Sequence, residues 1–157
     1  HGPHVLHDAI LPGAYGGLAR IDHALLTPGG ILCIRAVHLD GKVTGRQDDA
    51  QWTHVDGSRT CRLLNPLIQN EGRVRAIRKV LADTPVHNLV VFTGTVEFDG
   101  TQPPSVITVD RLPERIARHA AEAGVVNDTH AAWSCLLNAV LTDDDAQKDF
   151  AAQISFS

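Results

Sequence analysis

The sequence predicts an α/β fold with a mixed sheet that begins as an antiparallel meander, is flanked by helices and is followed by further helices. Three observations lead to this prediction. The first third of the chain alternates short β-branched and aliphatic runs with Gly, Pro and Asp turn residues. A helical pattern follows from residue 65, and residues 88–93 and 105–109 are continuous apolar runs typical of buried strands. Residues 112–154 return to helical periodicity.

The strands of the first third are separated by turns rich in Gly, Pro and Asp. They are expected over residues 5–11, 19–27, 31–37, 42–45 and 51–55. The turn Thr27-Pro28-Gly29-Gly30 is tight, so the second and third strands should form an antiparallel hairpin.

Arg35 is the charged residue of an otherwise apolar third strand, and a buried guanidinium group needs a partner. Asp22 lies in the second strand, where strand alternation turns its carboxylate inward or into a cleft. Because the hairpin should bring the two side chains together, we predict an ion pair between Asp22 and Arg35. The alternative is that Arg35 extends to the surface at the end of its strand.

The first helix is expected to begin with Asn65 as its N-cap and Pro66 at its first position, and to run to about Ala82. Its second half carries several basic residues, and most such charge runs are solvated faces. Further helices are expected over residues 112–123 and 127–141. A capping box formed by Thr142 and Asp145 predicts a last helix that ends near Ile154.

The composition is that of an ordinary globular protein, with 157 residues, 43% hydrophobic and 20% charged. We expect a single domain over residues 1–157, with a core over about residues 5–110 and a helical addition over about 111–157. A net charge of −4 argues against whole-surface binding of a polyanion, so nucleic-acid contact would need a local basic patch.

Three cysteines without CxxC spacing are interpreted as reduced, and no signal peptide or membrane-length apolar stretch is visible. The expected location is therefore the cytoplasm. The chain begins at His1 and is interpreted as a piece of a longer protein. His1, His4 and His7 are followed by Asp8, but an extended strand does not place all three imidazoles on one face, which disfavours a metal site there.

Several segments together resemble the nuclease-related domain (NERD) family. They are Ile21-Asp22-His23, Gly30-Ile31-Leu32-Cys33-Ile34, Gly41-Lys42-Val43-Thr44-Gly45, Trp52 and Asn65-Pro66-Leu67-Ile68-Gln69-Asn70. The resemblance covers about residues 5–95. It implies a restriction-endonuclease-like core of the PD-(D/E)xK superfamily, in which an aspartate on one strand and a Glu-x-Lys on the next assemble a magnesium-dependent DNA-cleaving site. The family's opening helix, with its Gly-Glu pair, is absent from this sequence.

The resemblance places Asp22 at the family's first metal ligand and Gln69 at its helix glutamine. At the Glu-x-Lys positions this chain has Arg35-Ala36-Val37, so a carboxylate is replaced by a cation and the lysine by an aliphatic residue. Asp22 alone is a poor magnesium site. We therefore expect no bound metal or other cofactor, with Asp22 the ligand if any metal binds.

Three functions follow from this pattern. The first, which the missing Glu-x-Lys favours, is a catalytically inactive binding or scaffolding module whose partner is another protein or other domains of the full-length chain. The second is a magnesium-dependent nuclease with migrated ligands, using Asp22 with His38, Asp40 or Glu71. The third is a non-catalytic nucleic-acid binder. Its candidate residues are Arg62, Arg73, Arg75 and Arg78. None of the three requires a membrane contact within this segment.

Overall fold

The computed structural model of the chain describes residues 4–122, 125–126 and 128–141. Its strands are β1 (His4–Pro12), β2 (Leu18–Thr27), β3 (Gly30–His38), β4 (Gly41–Thr44), β5 (Gln51–Asp56), β6 (Arg59–Leu64), β7 (Val86–Thr93), β8 (Val96–Phe98) and β9 (Val106–Thr108). Its α-helices are α1 (Pro66–Val80), α2 (Leu112–Ala120) and α3 (Thr129–Ala139), and a 3₁₀ turn over Val109–Arg111 precedes α2.

The strands form two sheets. The larger sheet has the order β1-β2-β3-β7-β9, with antiparallel pairs between β1, β2 and β3 and parallel pairs from β3 through β7 to β9. The smaller sheet has the order β6-β5-β4-β8. The predicted mixed α/β architecture is confirmed, and so is the β2–β3 hairpin, which pairs Thr27 with Gly30 at its turn.

The expected meander differs from the structure, because it divides after β3. Strand β4 pairs with β5 and β8 rather than with β3, and it begins the second sheet. Two strands, β6 and β8, were not predicted. Most of the side chains of β6 are exposed, so they show no apolar alternation, and β8 spans three residues. The helix expected over residues 142–154 lies outside the described residues.

The larger sheet is covered on both faces. On one face, Ile31 and Cys33 of β3 pack with Val74 and Ile77 of α1 and with Leu136 of α3. The opposite face includes Leu32, Ile34 and Leu89, against which Leu112 and Ile116 of α2 pack. The helix α1 therefore lies directly over the strands that carry Asp22 and Arg35.

Trp52 anchors a third cluster, which connects the smaller sheet to α1 through Leu67 and to β7 through Phe92. The indole of Trp52 is 1% exposed, and its Nε1–H donates to the carbonyl of Arg46 at 2.8 Å. A Cβ atom at Gly45 would lie 2.0 Å from Cδ1 of Trp52, so this position accepts only glycine. In the part of the chain that the structure describes, no helix is long and apolar enough to cross a bilayer.

Candidate functional site

Asp22 and Arg35 face each other across the β2–β3 hairpin, one step beyond the paired residues His23 and Ile34. A guanidinium Nη1 of Arg35 donates to Oδ2 of Asp22 at 3.1 Å. The side chains are 28% and 20% exposed, respectively, and Nε of Arg35 is buried without a hydrogen-bond partner. The predicted ion pair is confirmed, and the alternative in which Arg35 extends into solvent is wrong.

The amino end of α1 is fixed by Asn65, which is fully buried. Its Oδ1 accepts from the amide of Leu67 at 2.9 Å, and its Nδ2 donates to the carbonyls of Gln47 and Asp49 at 2.8 Å each. The predicted N-cap is thus confirmed, with Pro66 at the start of the helix. Gln69 lies in the first turn of the helix, where its amide N–H donates to the carbonyl of Asn65 at 3.0 Å.

Arg73 follows Gln69 by one helical turn and connects α1 to β2. Its Nη1 donates to the carbonyl of Gln69 at 3.1 Å and its Nε to the carbonyl of Arg20 at 2.7 Å. Burial lowers the pKa of Arg73, and the nearby carboxylate of Asp22 opposes that shift. The nearby guanidinium of Arg35 lowers the pKa of Arg73 further. Asp22 is therefore attracted by the cations of both Arg35 and Arg73.

A cleft of about 360 Å³ opens beside this group between α1 and the turn that joins β1 to β2. Arg20, Arg73 and Arg75 line it together with Gln69 and Tyr15. The guanidinium of Arg75 lies 5.9 Å from the centroid of the Tyr15 ring, within cation–π range. Arg20 also belongs to the cleft, although sequence reasoning misses it, because in the sequence it is a single charge near one end of a strand.

A buried polar network lies under the site and joins β3, α1 and β7. Nδ2 of Asn70 donates to the carbonyl of Cys33 and to Oδ1 of Asn88, at 2.9 Å each. Nδ2 of Asn88 donates to the carbonyl of Leu67 at 2.9 Å. The signal for Asn88 in the sequence is an amide side chain within a continuous apolar run. Burial raises the pKa of the Cys33 thiol to about 12, so this thiol is unreactive.

Val37 is half-buried and packs against the cluster around Trp52. Val37 therefore belongs to the packed interior between the two sheets, whereas Ala36 faces the other side of the larger sheet and lines an apolar cleft there. The side chain of Val37 contributes apolar contacts and carries no charge.

These features can be compared with known proteins. A family model described as "Nuclease-related domain" matches residues 1–93, more than half of the 157 residues. The chain belongs to the nuclease-related domain (NERD) family. The NERD chain is also 27% identical over 74 residues to an uncharacterized protein of Bacillus anthracis, a match that covers 47% of this chain and 35% of that protein. This chain thus matches about a third of that relative's length. No solved structure matches this chain.

Magnesium does not fit the residues of this NERD site. The ion requires several oxygen ligands, and here one carboxylate, that of Asp22, is paired with the guanidinium of Arg35. A positive charge about 4 Å from a cation costs on the order of 4 kcal/mol per unit charge at an effective dielectric of about 20. The pair therefore opposes metal binding at the position implied by the family resemblance.

The residues considered as migrated ligands have other partners in this NERD domain. His38 Nδ1 lies 3.0 Å from the hydroxyl of Thr93, and Oδ1 of Asp40 accepts from the amide of Thr95 at 2.7 Å. Glu71 lies within 3.8 Å of the guanidinium groups of two arginines of α1. Among the described residues, no three His, Cys, Asp or Glu side chains form a group that could hold a metal ion.

The four arginines suggested by the sequence divide between different surfaces. Arg73 and Arg75 line the cleft. Arg78 pairs with Glu71 at 3.7 Å and donates to the carbonyl of Val86 at 3.2 Å. Arg62 lies exposed on β6 of the smaller sheet, opposite Thr53.

Proposed function

We propose that this NERD domain is catalytically inactive and serves as a binding or scaffolding module of a larger protein. The observation that supports this proposal is the ion pair between Arg35 and Asp22, because the guanidinium group neutralises the carboxylate that a nuclease of this fold would give to its metal. The packing of Val37 into the interior supports it further, since a lysine at that position would have to leave the Trp52 cluster.

The cleft between α1 and the β1–β2 turn is the proposed binding surface. Tyr15 is 87% exposed at its edge, and Arg75 lies over the Tyr15 ring. Tyrosine and arginine dominate the energetics of many protein interfaces. The match to 35% of the Bacillus anthracis relative supports a domain that works within a longer chain. We also propose a cytoplasmic location, because the exposed cysteines Cys61 and Cys135 are free.

A second candidate is a nucleic-acid binder without catalysis. Three arginines, Arg20, Arg73 and Arg75, line one cleft, and guanidinium groups suit phosphate oxygens. The positive group is local, so it is compatible with the net charge of −4. Of the four arginines suggested by the sequence, Arg73 and Arg75 belong to this candidate binding site, whereas Arg62 and Arg78 lie on other surfaces.

A cleavage assay tests the inactivity. Purified protein is incubated with plasmid and linear DNA in Mg²⁺ or Mn²⁺ beside the Asp22→Ala variant. We expect no metal-stimulated cleavage by either protein. Cleavage by the wild type that disappears in Asp22→Ala would contradict the proposal and support a nuclease with migrated ligands.

A binding assay separates the two non-catalytic candidates. Fluorescence anisotropy with labelled single-stranded and duplex DNA is measured over a salt series for the wild type, for Arg20→Ala/Arg75→Ala and for the matched surface control Arg62→Ala. Salt-dependent binding that the cleft variant loses and the control retains would establish the nucleic-acid binder. Absence of DNA binding in all three proteins supports a module that binds protein.

A further inference from the structure

Two histidines lie directly opposite each other on β1 and β2. His7 pairs with His23 in the antiparallel register, and their Nδ1 atoms are 2.7 Å apart. The rings meet edge to face, with centroids 4.9 Å apart and an angle of 80° between their planes. The contact is a hydrogen bond in which the Nδ1–H of one ring donates to Nδ1 of the other, and the tautomers decide which ring donates.

The histidine pair is separate from the Asp22 site. It lies on the rim of an apolar cleft of about 430 Å³ whose walls include Leu25, Ile34 and Ile116. These side chains belong to the cluster packed beneath α2, whereas the arginine cleft lies beside α1. His7 is exposed and His23 half-buried, so the pair is accessible from solvent.

We propose that His7 and His23 form a two-ligand site for a divalent transition-metal ion of the zinc class, with water completing the coordination. Imidazole nitrogen suits Zn²⁺, Ni²⁺ and Cu²⁺, whereas Mg²⁺ and Ca²⁺ prefer oxygen. Bonds of about 2.0–2.1 Å to one tetrahedral ion require the two nitrogens to be about 3.3 Å apart. At the observed 2.7 Å separation the two nitrogens share a hydrogen-bond proton; the ion would take its place, with the donor ring carrying its proton on Nε2 instead and a side-chain rotation moving each nitrogen by a fraction of an ångström.

The backbone beside the pair is also unusual. Asp8 is the one non-glycine residue among the described residues with a positive φ, 52°, and no β1–β2 pairing includes it. Its carboxylate is bonded to Nη2 of Arg20 at 2.6 Å, so Asp8 is not available as a third ligand in this arrangement. Such backbone conformations persist where the surrounding structure holds them, and they are found at functional sites more often than elsewhere.

The amino-terminal histidine pattern alone disfavours a metal site, because a spacing of three residues places successive histidines on opposite faces of a strand. The structure supplies the second ligand from the neighbouring strand instead, at a sequence separation of 16 residues. A rigid antiparallel pair holds two side chains at a nearly fixed distance, which reduces the entropy lost when an ion binds.

Isothermal titration with ZnCl₂ tests the site. The exposed thiols are first removed by Cys61→Ser/Cys135→Ser, since thiolates also bind zinc. In that background we expect one equivalent of Zn²⁺ to bind, and His7→Ala and His23→Ala each to weaken it at least about tenfold. The double variant should be little weaker than either single variant, because the first substitution already removes the chelate. His130→Ala, a change of one exposed histidine on α3, should bind as the parent does.

A spectroscopic readout tests the same site without affinity measurements. Long-range ¹⁵N NMR of the imidazole nitrogens should show the Nδ1 resonances of both His7 and His23 shifting together when zinc is added. Circular dichroism confirms that each variant remains folded. The proposal is overturned if the parent binds no zinc, if the single variants bind as tightly as the parent, or if the resonances of other histidines shift instead.

Discussion

Arg35 satisfies part of its hydrogen-bonding capacity on Asp22 and leaves Nε buried without a partner. The carboxylate also lies close to Arg73 and Arg20: it opposes the lowering of the Arg73 pKa that burial causes, and it adds to the raising of the Arg20 pKa by the hydrogen bond to Asp8. Removal of either charge would leave the other partly shielded from water. Because the pair keeps 20% and 28% side-chain exposure, solvent would compensate for some of the loss, which places its contribution below that of a fully buried pair.

Restoring the acidic pattern at this position should restore metal binding. In Arg35→Glu/Val37→Lys, two carboxylates would face one another across the hairpin, and the opposing guanidinium would be gone. We expect Mg²⁺ binding with a Kd on the order of 1 mM, measured by isothermal titration, where the wild type shows none. The matched controls are Val37→Lys alone, which keeps Arg35, and the double variant with Asp22→Asn added. Magnesium binding by Val37→Lys, or its absence from the double variant, would contradict this account of the site.

At the residue scale the sequence reveals Asp22 and Arg35 because strand alternation and a tight turn determine where both side chains point. It does not reveal Arg20 or His23 as site residues, since each acquires its role from a residue distant in the chain. Arg20 enters the cleft through the backbone contact with Arg73 of α1. His23 is identified only once its pairing with His7 is known.

Helix α1 connects the site to the rest of the molecule, and its amino end depends on Asn65. The side chain caps the helix through one acceptor and holds the 46–49 loop through two donors. Leu67 then packs beside Trp52, and Asn70 joins β3 to β7. The same short segment thus sets the position of the helix and of the loop before β5.

Asn65→Ala should destabilise the domain by about 2–4 kcal/mol. Loss of the cap accounts for about 1 kcal/mol, and two carbonyls that lose a buried donor account for about 0.5–1.5 kcal/mol each. Urea unfolding followed by circular dichroism measures the change. Asn138→Ala, a change of an exposed amide on α3, is the control and should cost less than about 0.5 kcal/mol. Equal losses in the two variants would show that the Asn65 contacts carry little stability.

At the element scale, the longer strands and helices are predictable because their apolar period is sustained. The helix α1 begins where Asn65-Pro66 places it, and β7 appears as a continuous apolar run. Strand β6 is not predictable in this way. It is held by backbone hydrogen bonds to β5, and because most of its side chains are exposed it has no apolar period. The division into two sheets is likewise decided by pairing between distant segments, such as β4 with β8.

At the scale of the whole molecule, a contact between two histidines joins helix α2 to strand β7 of the larger sheet. His119 of α2 is 6% exposed, and its ring lies 4.4 Å from that of His87 on β7. Its Nδ1 is buried without a hydrogen bond, 3.8 Å from a carboxylate oxygen of Glu122. Burial, and then the charge of His87, lower the pKa of His119, while Glu122 opposes the shift and Arg118 and Arg115 add to it.

Stability should therefore fall on mild acidification. A histidine whose pKa is lower in the folded state binds protons more readily when unfolded, so stability is complete above the ordinary histidine pKa of about 6.5 and decreases below it. We expect the urea midpoint to fall between about pH 7.5 and about pH 5.5 more in the wild type than in His119→Gln, which cannot be charged. Parallel decreases in the two proteins would assign the pH dependence to other groups.

The packing of Val37 makes the proposed loss of catalysis hard to reverse in evolution. A single substitution at Arg35 would leave an aliphatic residue at the lysine position, while a single Val37→Lys change would take an apolar side chain out of the Trp52 cluster and bring a second cation near Arg35. Neither step alone would gain activity, and the second would cost stability. The packing of the interior thus penalises each single step back toward the Glu-x-Lys pattern. Natural selection for a stable scaffold would therefore preserve the proposed inactive state even where cleavage would be useful.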